Sequence, residues 1–124
     1  MAQHPALEAT RHALLAVHKE LVAVARADYR SEHGSDPSPQ VLLHHLTSDD
    51  AYAWLRPLSG LIVQADELLD EDTIEDAAVH ALKKEVEAAL QADTFTARYR
   101  PALQDLPDLI LAHSALVRAL NQLR

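Results

Sequence analysis

Eight histidines occur among the 124 residues, and two of them, His18 and His113, have leucines one helical turn before and after them. This spacing places a side chain on the buried face of a helix. Two imidazoles at one depth between helices could ligate haem iron axially, or join carboxylates at a divalent metal ion. The favoured alternative is a pair of core histidines, each hydrogen-bonded to a neighbouring side chain or water, because no ligand motif accompanies them.

The motifs that usually accompany such a metal site are missing from the sequence. Di-iron bundles carry Glu-x-x-His on two helices, and that spacing does not occur here. His4, Glu8 and His12 share one flank of a helix, where ordinary i, i+4 pairs are favoured over a surface metal site. The acidic run 66–76 lacks the glycine and the last glutamate of an EF-hand loop, which indicates a solvated loop and a helix cap. The sequence therefore assigns no metal ligands.

A second group of residues has the types that a small anionic ligand needs. A fixed arginine, an aromatic wall and a carbonyl freed by Pro57 inside a helix could hold such a ligand. The candidate pocket residues are Tyr29, Tyr52, Trp54, Arg56, Ser59 and Tyr99. The favoured structural alternative is a kink at Pro57 that lets the helix wrap a neighbour, with Trp54 filling the core and Arg56 reaching an acid.

The sequence contains no local signature of an enzyme. It has no cysteine, which excludes thiolate nucleophiles, disulfides and thiolate-ligated metal clusters. No Gly-rich phosphate loop, Gly-x-Ser-x-Gly elbow or His-Glu-x-x-His helix occurs. A serine, a histidine and an aspartate would have to be assembled from different helices. The expectation is therefore a protein that acts without catalysis.

Helices are expected to position all of these side chains. The chain contains 22 alanines and 21 leucines, which favour helix, and only two glycines, which leave few sites for hairpin turns. Apolar spacings of three and four predict helices over 5–33, 40–46, from a cap at 47–50 to about 70, 73–92, 94–104 and 107–124. The predicted fold is all-α, a single domain over residues 1–124. It is an antiparallel four-helix bundle with two additional short helices, 40–46 and 94–104.

The charge of the chain limits its partners. With 19 acidic against 11 basic residues, a net charge of −8 argues against nucleic acid and against anionic lipid. The first twenty residues have no basic region and only a four-residue apolar run, unlike a signal peptide, and no run of 18 apolar residues occurs. We therefore expect a cytoplasmic protein.

Three short strings of residues are distinctive in this sequence. They are Val-His-Lys-Glu at 17–20, Asp-Tyr at 28–29 with His-Gly at 33–34, and Ala-Trp-Leu-Arg-Pro-Leu-Ser at 53–59. These strings resemble those of small all-α bacterial proteins of uncharacterised function. The resemblance covers roughly the first 70 residues, and Trp-Leu-Arg-Pro-Leu-Ser is its only specific part. It implies a compact helical bundle in a bacterial cytosol, and no activity or ligand.

Three functional hypotheses follow from these observations. The first is a non-enzymatic bundle that binds a protein or a small ligand and forms a homodimer, because wide apolar arcs on the third and last helices exceed what one subunit would cover. The second is a haem- or metal-binding bundle that uses His18 and His113. The third is a small-anion sensor with its pocket around Trp54 and Arg56.

Overall fold

A computed structural model describes residues 3–123, and this part of the chain is built from helices. Helix takes up 86% of the described residues, and none of them forms a strand. The all-α prediction is therefore confirmed. The elements are α1 (Pro5–His33), α2 (Pro39–Ser48), a 3-10 helix (Asp50–Leu55), α3 (Arg56–Leu69), α4 (Asp76–Gln91), α5 (Asp93–Asp105) and α6 (Pro107–Gln122).

The long first helix begins and ends where the sequence predicts. The His4 imidazole accepts a hydrogen bond from a backbone N–H of the first turn, and Pro5 occupies the position where a missing N–H costs nothing. Gly34 adopts the left-handed conformation with φ of 79°, and its N–H donates to the carbonyl of Arg30. The last helix also begins at its predicted residue, Pro107. Local capping chemistry therefore sets these boundaries.

The two glycines are expected to respond to alanine in opposite directions. Gly34→Ala should lower the free energy of unfolding by about 1 kcal/mol, because an L side chain resists the left-handed region. Gly60 lies inside α3, where Gly60→Ala should raise it by about 0.8 kcal/mol through helix propensity. No atom lies within 4 Å of the added Cβ at either position, so crowding does not contribute. Urea denaturation measures both changes, and equal signs would contradict the assignment.

Pro57 begins a helix, and the predicted kinked helix from 47–50 to 70 is wrong. The chain instead forms the 3-10 helix, and α3 starts afresh at Arg56 with Pro57 in its first turn. The expectation that the Ala53 carbonyl is free is also wrong, because it accepts the backbone N–H of Arg56. The Asp49 side chain caps the 3-10 helix by accepting the N–H of Ala51 at 2.9 Å. A proline destabilises a helix least in its first turn, and Pro57 occupies that position in α3.

The remaining boundaries differ from the predictions by one to three residues. Ser38 caps α2 as predicted, and α2 extends to Ser48. The fourth helix starts at Asp76 with Glu75 at the cap position, whereas a start at Thr73 was predicted. Ile74 explains this shift, since it packs on the core from a non-helical segment. Likewise, α5 begins at Asp93, one residue before its predicted start.

Five helices surround one apolar core. α1 packs against both α3 and α6, α3 against α4, α4 against α5, and α5 against α6. The predicted neighbourhood of the first and last helices is therefore confirmed. The predicted short helix α5 takes part in the core through Phe95, Tyr99 and Ala102. An antiparallel arrangement of four helices stays a prediction.

The core is held mainly by leucine. The side chains with less than 2% exposure are Leu7, Leu14, Leu21, Leu58, Leu82, Leu109, Leu116, Leu123, Val17, Val86 and Thr10. Burial of each such leucine is worth roughly 2 kcal/mol relative to an exposed position. Thr10 is the single polar residue among them, and its hydroxyl donates to the carbonyl of Ala6 at 2.8 Å. None of the described helices is both long and apolar enough to cross a membrane.

Candidate ligand pocket

His18 bonds to a serine on the neighbouring helix. Its Nε2 atom lies 2.9 Å from the Oγ of Ser59, so this hydrogen bond joins α1 to α3. The imidazole is half-buried, and burial lowers its pKa below the usual 6.5. His18 is therefore neutral at pH 7, and one ring nitrogen is free to accept a proton.

A pocket of about 250 Å³ opens beside this pair of side chains. Helices α1, α2 and α3 and the 3-10 helix each contribute to its wall. The lining residues are His18, Leu43, Leu46, Thr47, Leu55, Arg56 and Ser59. Leucines from three positions form the apolar part, whereas an imidazole, a guanidinium and two hydroxyls form the polar part. We call this cavity the His18 pocket.

Arg56 closes one end of the His18 pocket and holds α2 in place. Its Nε donates to the carbonyl of Leu46 at 2.9 Å, and its Nη2 donates to the carbonyl of Asp49. The Leu46 carbonyl lies in the last turn of α2, where backbone acceptors lack helical partners, whereas the Asp49 carbonyl also accepts the N–H of Tyr52 at 3.1 Å. The Asp49 carboxylate instead bonds to His45 and to the N–H of Ala51. Arg56 does not reach an acid as predicted, since no carboxylate of the described residues lies within 4.0 Å of it.

His113 has a different partner and a different pocket. Its Nδ1 atom and the hydroxyl of Tyr99 on α5 are joined by a hydrogen bond of 2.7 Å. Burial lowers the pKa of His113 and raises the pKa of the Tyr99 phenol, so both groups are neutral at pH 7. The open pocket beside them is larger, about 670 Å³, and its wall includes Arg100 and Asp93.

His18 and His113 therefore have different partners. Each histidine bonds to a neighbouring side chain, as in the favoured structural alternative, and the two line different pockets. No group of three or more histidine or carboxylate side chains among residues 3–123 could hold a metal ion. The haem hypothesis stays a prediction, and nothing in the geometry favours it.

The six predicted ligand-pocket residues fall into three places. Arg56 and Ser59 line the His18 pocket, and sequence reasoning missed that His18 joins them. Trp54 and Tyr99 lie in the core on either side of Phe95, with ring centroids 6.3 and 4.7 Å from it. The Trp54 Nε1 atom is buried without a hydrogen-bond partner in the described residues, which costs free energy that the apolar contacts of the ring must offset.

The other two tyrosines lie around His45, a histidine of α2. Tyr29 stacks on His33 with centroids 4.0 Å apart, and His45 lies 5.2 Å from Tyr29 and 6.1 Å from Tyr52. This cluster is distinct from the His18 pocket, because none of its members lines that pocket. The two groups also belong to different elements, because Tyr52 and Trp54 lie in the 3-10 helix and Arg56 and Ser59 lie in α3.

The two half-buried histidines predict a loss of stability in acid. The unfolded chain binds protons at these sites below pH 6.5, whereas the folded chain resists them because burial lowers both pKa values. The free energy of unfolding should therefore fall as the pH falls below 6.5 and level off below the folded pKa values. Urea denaturation across this range measures the slope. The double variant His18→Gln, His113→Gln should flatten it, and an unchanged slope would contradict the prediction.

Comparisons with protein-family models, with curated proteins and with solved structures find no match to this chain. The Trp-Leu-Arg-Pro-Leu-Ser string therefore stays a resemblance. Its arginine and serine, Arg56 and Ser59, line the His18 pocket. Function is inferred from the chemistry of that pocket alone.

Proposed function

We propose that this protein binds a small organic anion, with a carboxylate at one end and an apolar body, in the His18 pocket. The observation that carries this proposal is the placement of a guanidinium, an imidazole and a hydroxyl against leucines in one cavity. Ligand pockets commonly combine an apolar wall with a few convergent polar groups in this way. The third sequence hypothesis, a small-anion sensor at Arg56, is thus kept, with His18 and Ser59 in place of the aromatic wall.

The polar groups of the pocket fit a carboxylate. Arg56 supplies a permanent positive charge, and a guanidinium has more N–H donors than its two carbonyl bonds use. Because Ser59 and the neutral His18 are bonded to each other, one of their two donors stays free, either the serine hydroxyl or the ring N–H, and can donate to an oxygen of the ligand. Since the site is half-buried, such charge-assisted bonds are stronger than they would be in water.

The apolar groups limit the size and shape of the ligand. Leu43, Leu46 and Leu55 line the cavity, and its volume of about 250 Å³ lies at the small end of ligand pockets. A single ring or a short branched chain fills that space, whereas a nucleotide or a haem exceeds it. Benzoate is therefore a suitable probe, because it has one carboxylate and one apolar ring.

Titration of the protein with benzoate, followed by calorimetry and by the NMR signals of His18, tests the proposal. Leu43 is 63% exposed and lines the pocket, so Leu43→Glu adds a negative charge there without disturbing the core. We expect this variant to lose binding at least tenfold. Val63→Glu is the matched control, since Val63 is 53% exposed on α3 and lies outside the pocket wall.

Two results would contradict the proposal. One is the absence of any benzoate-dependent shift of the His18 signals at millimolar probe concentrations. The other is equal weakening by Leu43→Glu and Val63→Glu, which would show that the anion responds to the net charge of the protein and not to the pocket. Binding retained only in the control variant supports the site.

We also propose a homodimer, as the apolar arc on the last helix predicts. Ile110, Leu111 and Val117 of α6 remain exposed, with Leu111 the most exposed of the three. A second copy of the chain would cover these three side chains. We also propose the antiparallel arrangement of four helices, from the apolar pattern of the sequence, and the cytoplasmic setting, from its composition. Light scattering should give twice the 13.7 kDa mass, and Leu111→Glu should return a monomer. A monomer at all tested concentrations would contradict the dimer.

A further inference from the structure

We propose that Ser59 and His18 form a nucleophile–base pair that transfers a short acyl group from an ester to water. The inference rests on the proposed function, because the product of this reaction is the small carboxylate that the His18 pocket would hold. The sequence contains no catalytic motif, so a serine and a histidine can meet only where different helices bring them together. Helices α1 and α3 bring such a pair together.

The geometry of the pair is that of an activated serine. The Oγ of Ser59 lies 2.9 Å from Nε2 of His18, within the range for proton transfer along a hydrogen bond. In the tautomer with Nδ1 protonated, the hydroxyl donates to Nε2, so His18 is placed as the general base. Ser59 is exposed to solvent, and an incoming ester can therefore reach its oxygen.

The surroundings favour the charge that develops during acyl transfer. Arg56 lies one turn before Ser59 on α3 and lines the same pocket, so its positive charge is available to a developing oxyanion. Ser59 is also close to the start of α3, where the helix dipole is positive. Burial keeps His18 unprotonated at pH 7 by lowering its pKa, which leaves the base ready to act.

The reaction has two balanced steps. The Ser59 oxygen bonds to the ester carbonyl carbon, its proton passes to Nε2 of His18, and the carbon–oxygen bond to the alcohol breaks as that oxygen takes the proton from His18. Water then attacks the acyl-serine carbonyl and gives a proton to His18. His18 returns this proton to the Ser59 oxygen, and the carboxylic acid leaves. No oxidant, reductant or metal ion takes part.

The experiment uses p-nitrophenyl butyrate, whose short chain suits the leucine wall. We expect a burst of p-nitrophenolate equal to the protein concentration, and a butyryl group on Ser59 in the peptide masses. Ser59→Ala should abolish the burst, and His18→Asn should slow it about 100-fold. The burst rate should rise with pH and then level off, with the midpoint of the rise below the usual histidine pKa of 6.5. Ser114→Ala is the matched control, because Ser114 is an exposed helical serine next to His113 in sequence and outside the pocket wall.

Butyryl groups found only on lysine or histidine, or a burst that persists in Ser59→Ala, would overturn the inference. The labelling of Ser59 in the unmodified protein decides the matter even where a variant fails to fold. The catalytic inference and the proposed function can fail separately. Benzoate binding without acylation of Ser59 would refute the catalytic inference alone. Acylation of Ser59 without benzoate binding refutes the anion-binding role alone.

Discussion

Leu14→Ala is expected to lower the free energy of unfolding by about 3 kcal/mol, whereas Leu15→Ala is expected to cost less than about 1 kcal/mol. Leu14 has no exposed surface, and its truncation leaves a cavity between α1 and the helices packed on it. Leu15 is 37% exposed, so solvent and neighbouring side chains replace its contacts. The two residues are adjacent in one helix, and their helix propensities cancel in the comparison.

Urea denaturation followed by the fluorescence of Trp54 measures both losses. Trp54 is a good reporter, because it lies in the core beside Phe95 and is the only tryptophan of the chain. Similar losses for the two variants would mean that the face of α1 assigned to the core is wrong. A cost of less than about 2 kcal/mol for Leu14→Ala would mean that the site collapses around the missing atoms.

The helices at the two ends of the chain could be predicted because their signals are local. Pro5 and Gly34 have chemistry that suits only the start and the end of a helix, and Pro107 repeats the first of these signals. The apolar stripe of α1 also predicted which face of this helix lies on the core, and its leucines on either side of His18, Leu14 and Leu21, are fully buried. No contact with a distant residue is needed for any of these conclusions.

The start of α3 could not be predicted in this way. Pro57 is compatible with a kink inside a helix and with the first turn of a new one. The choice depends on Arg56, whose guanidinium bonds to carbonyls at the end of α2. These bonds span 10 and 7 residues and depend on how α2 folds back, which the apolar pattern does not specify.

In the candidate site, too, some features follow from the local sequence and others depend on contacts between distant residues. The inward position of His18 follows from its spacing, but its partner Ser59 is 41 residues away. Their pairing depends on the alignment of α1 against α3, and a shift by one turn would remove it. The partner of His113 could not be predicted for the same reason. Tyr99 reaches His113 from α5, which the sequence predicted only as an additional short helix outside the four-helix bundle.

Arg56→Ala is expected to cost about 3 kcal/mol, nearly as much as the loss of a core leucine. Two hydrogen bonds from a charged donor disappear, and each is worth about 1.5 kcal/mol or more in a partly buried setting. The carbonyls of Leu46 and Asp49 are then left without this partner at the end of α2. We expect α2 to loosen, because Leu42 is its only fully buried residue and packing holds it weakly.

Arg56→Lys separates the charge of the side chain from its shape. A lysine keeps the positive charge, but its single ammonium cannot match a fork that reaches two carbonyls at once. We therefore expect Arg56→Lys to recover less than half of the lost stability. Hydrogen exchange of the α2 amides should quicken in both variants, while exchange in α6 stays close to that of the unmodified protein.

Arg118→Ala is the matched control, since Arg118 is exposed on α6 and forms no ion pair among the described residues. An exposed position of this kind is expected to change stability by less than about 0.5 kcal/mol. If Arg56→Ala cost no more than this control, the bonds to the Leu46 and Asp49 carbonyls would not hold α2 in solution. The wall of the His18 pocket depends on that attachment, because Leu43, Leu46 and Thr47 all come from α2. Loss of α2 order in Arg56→Ala should therefore abolish benzoate binding together with the pocket.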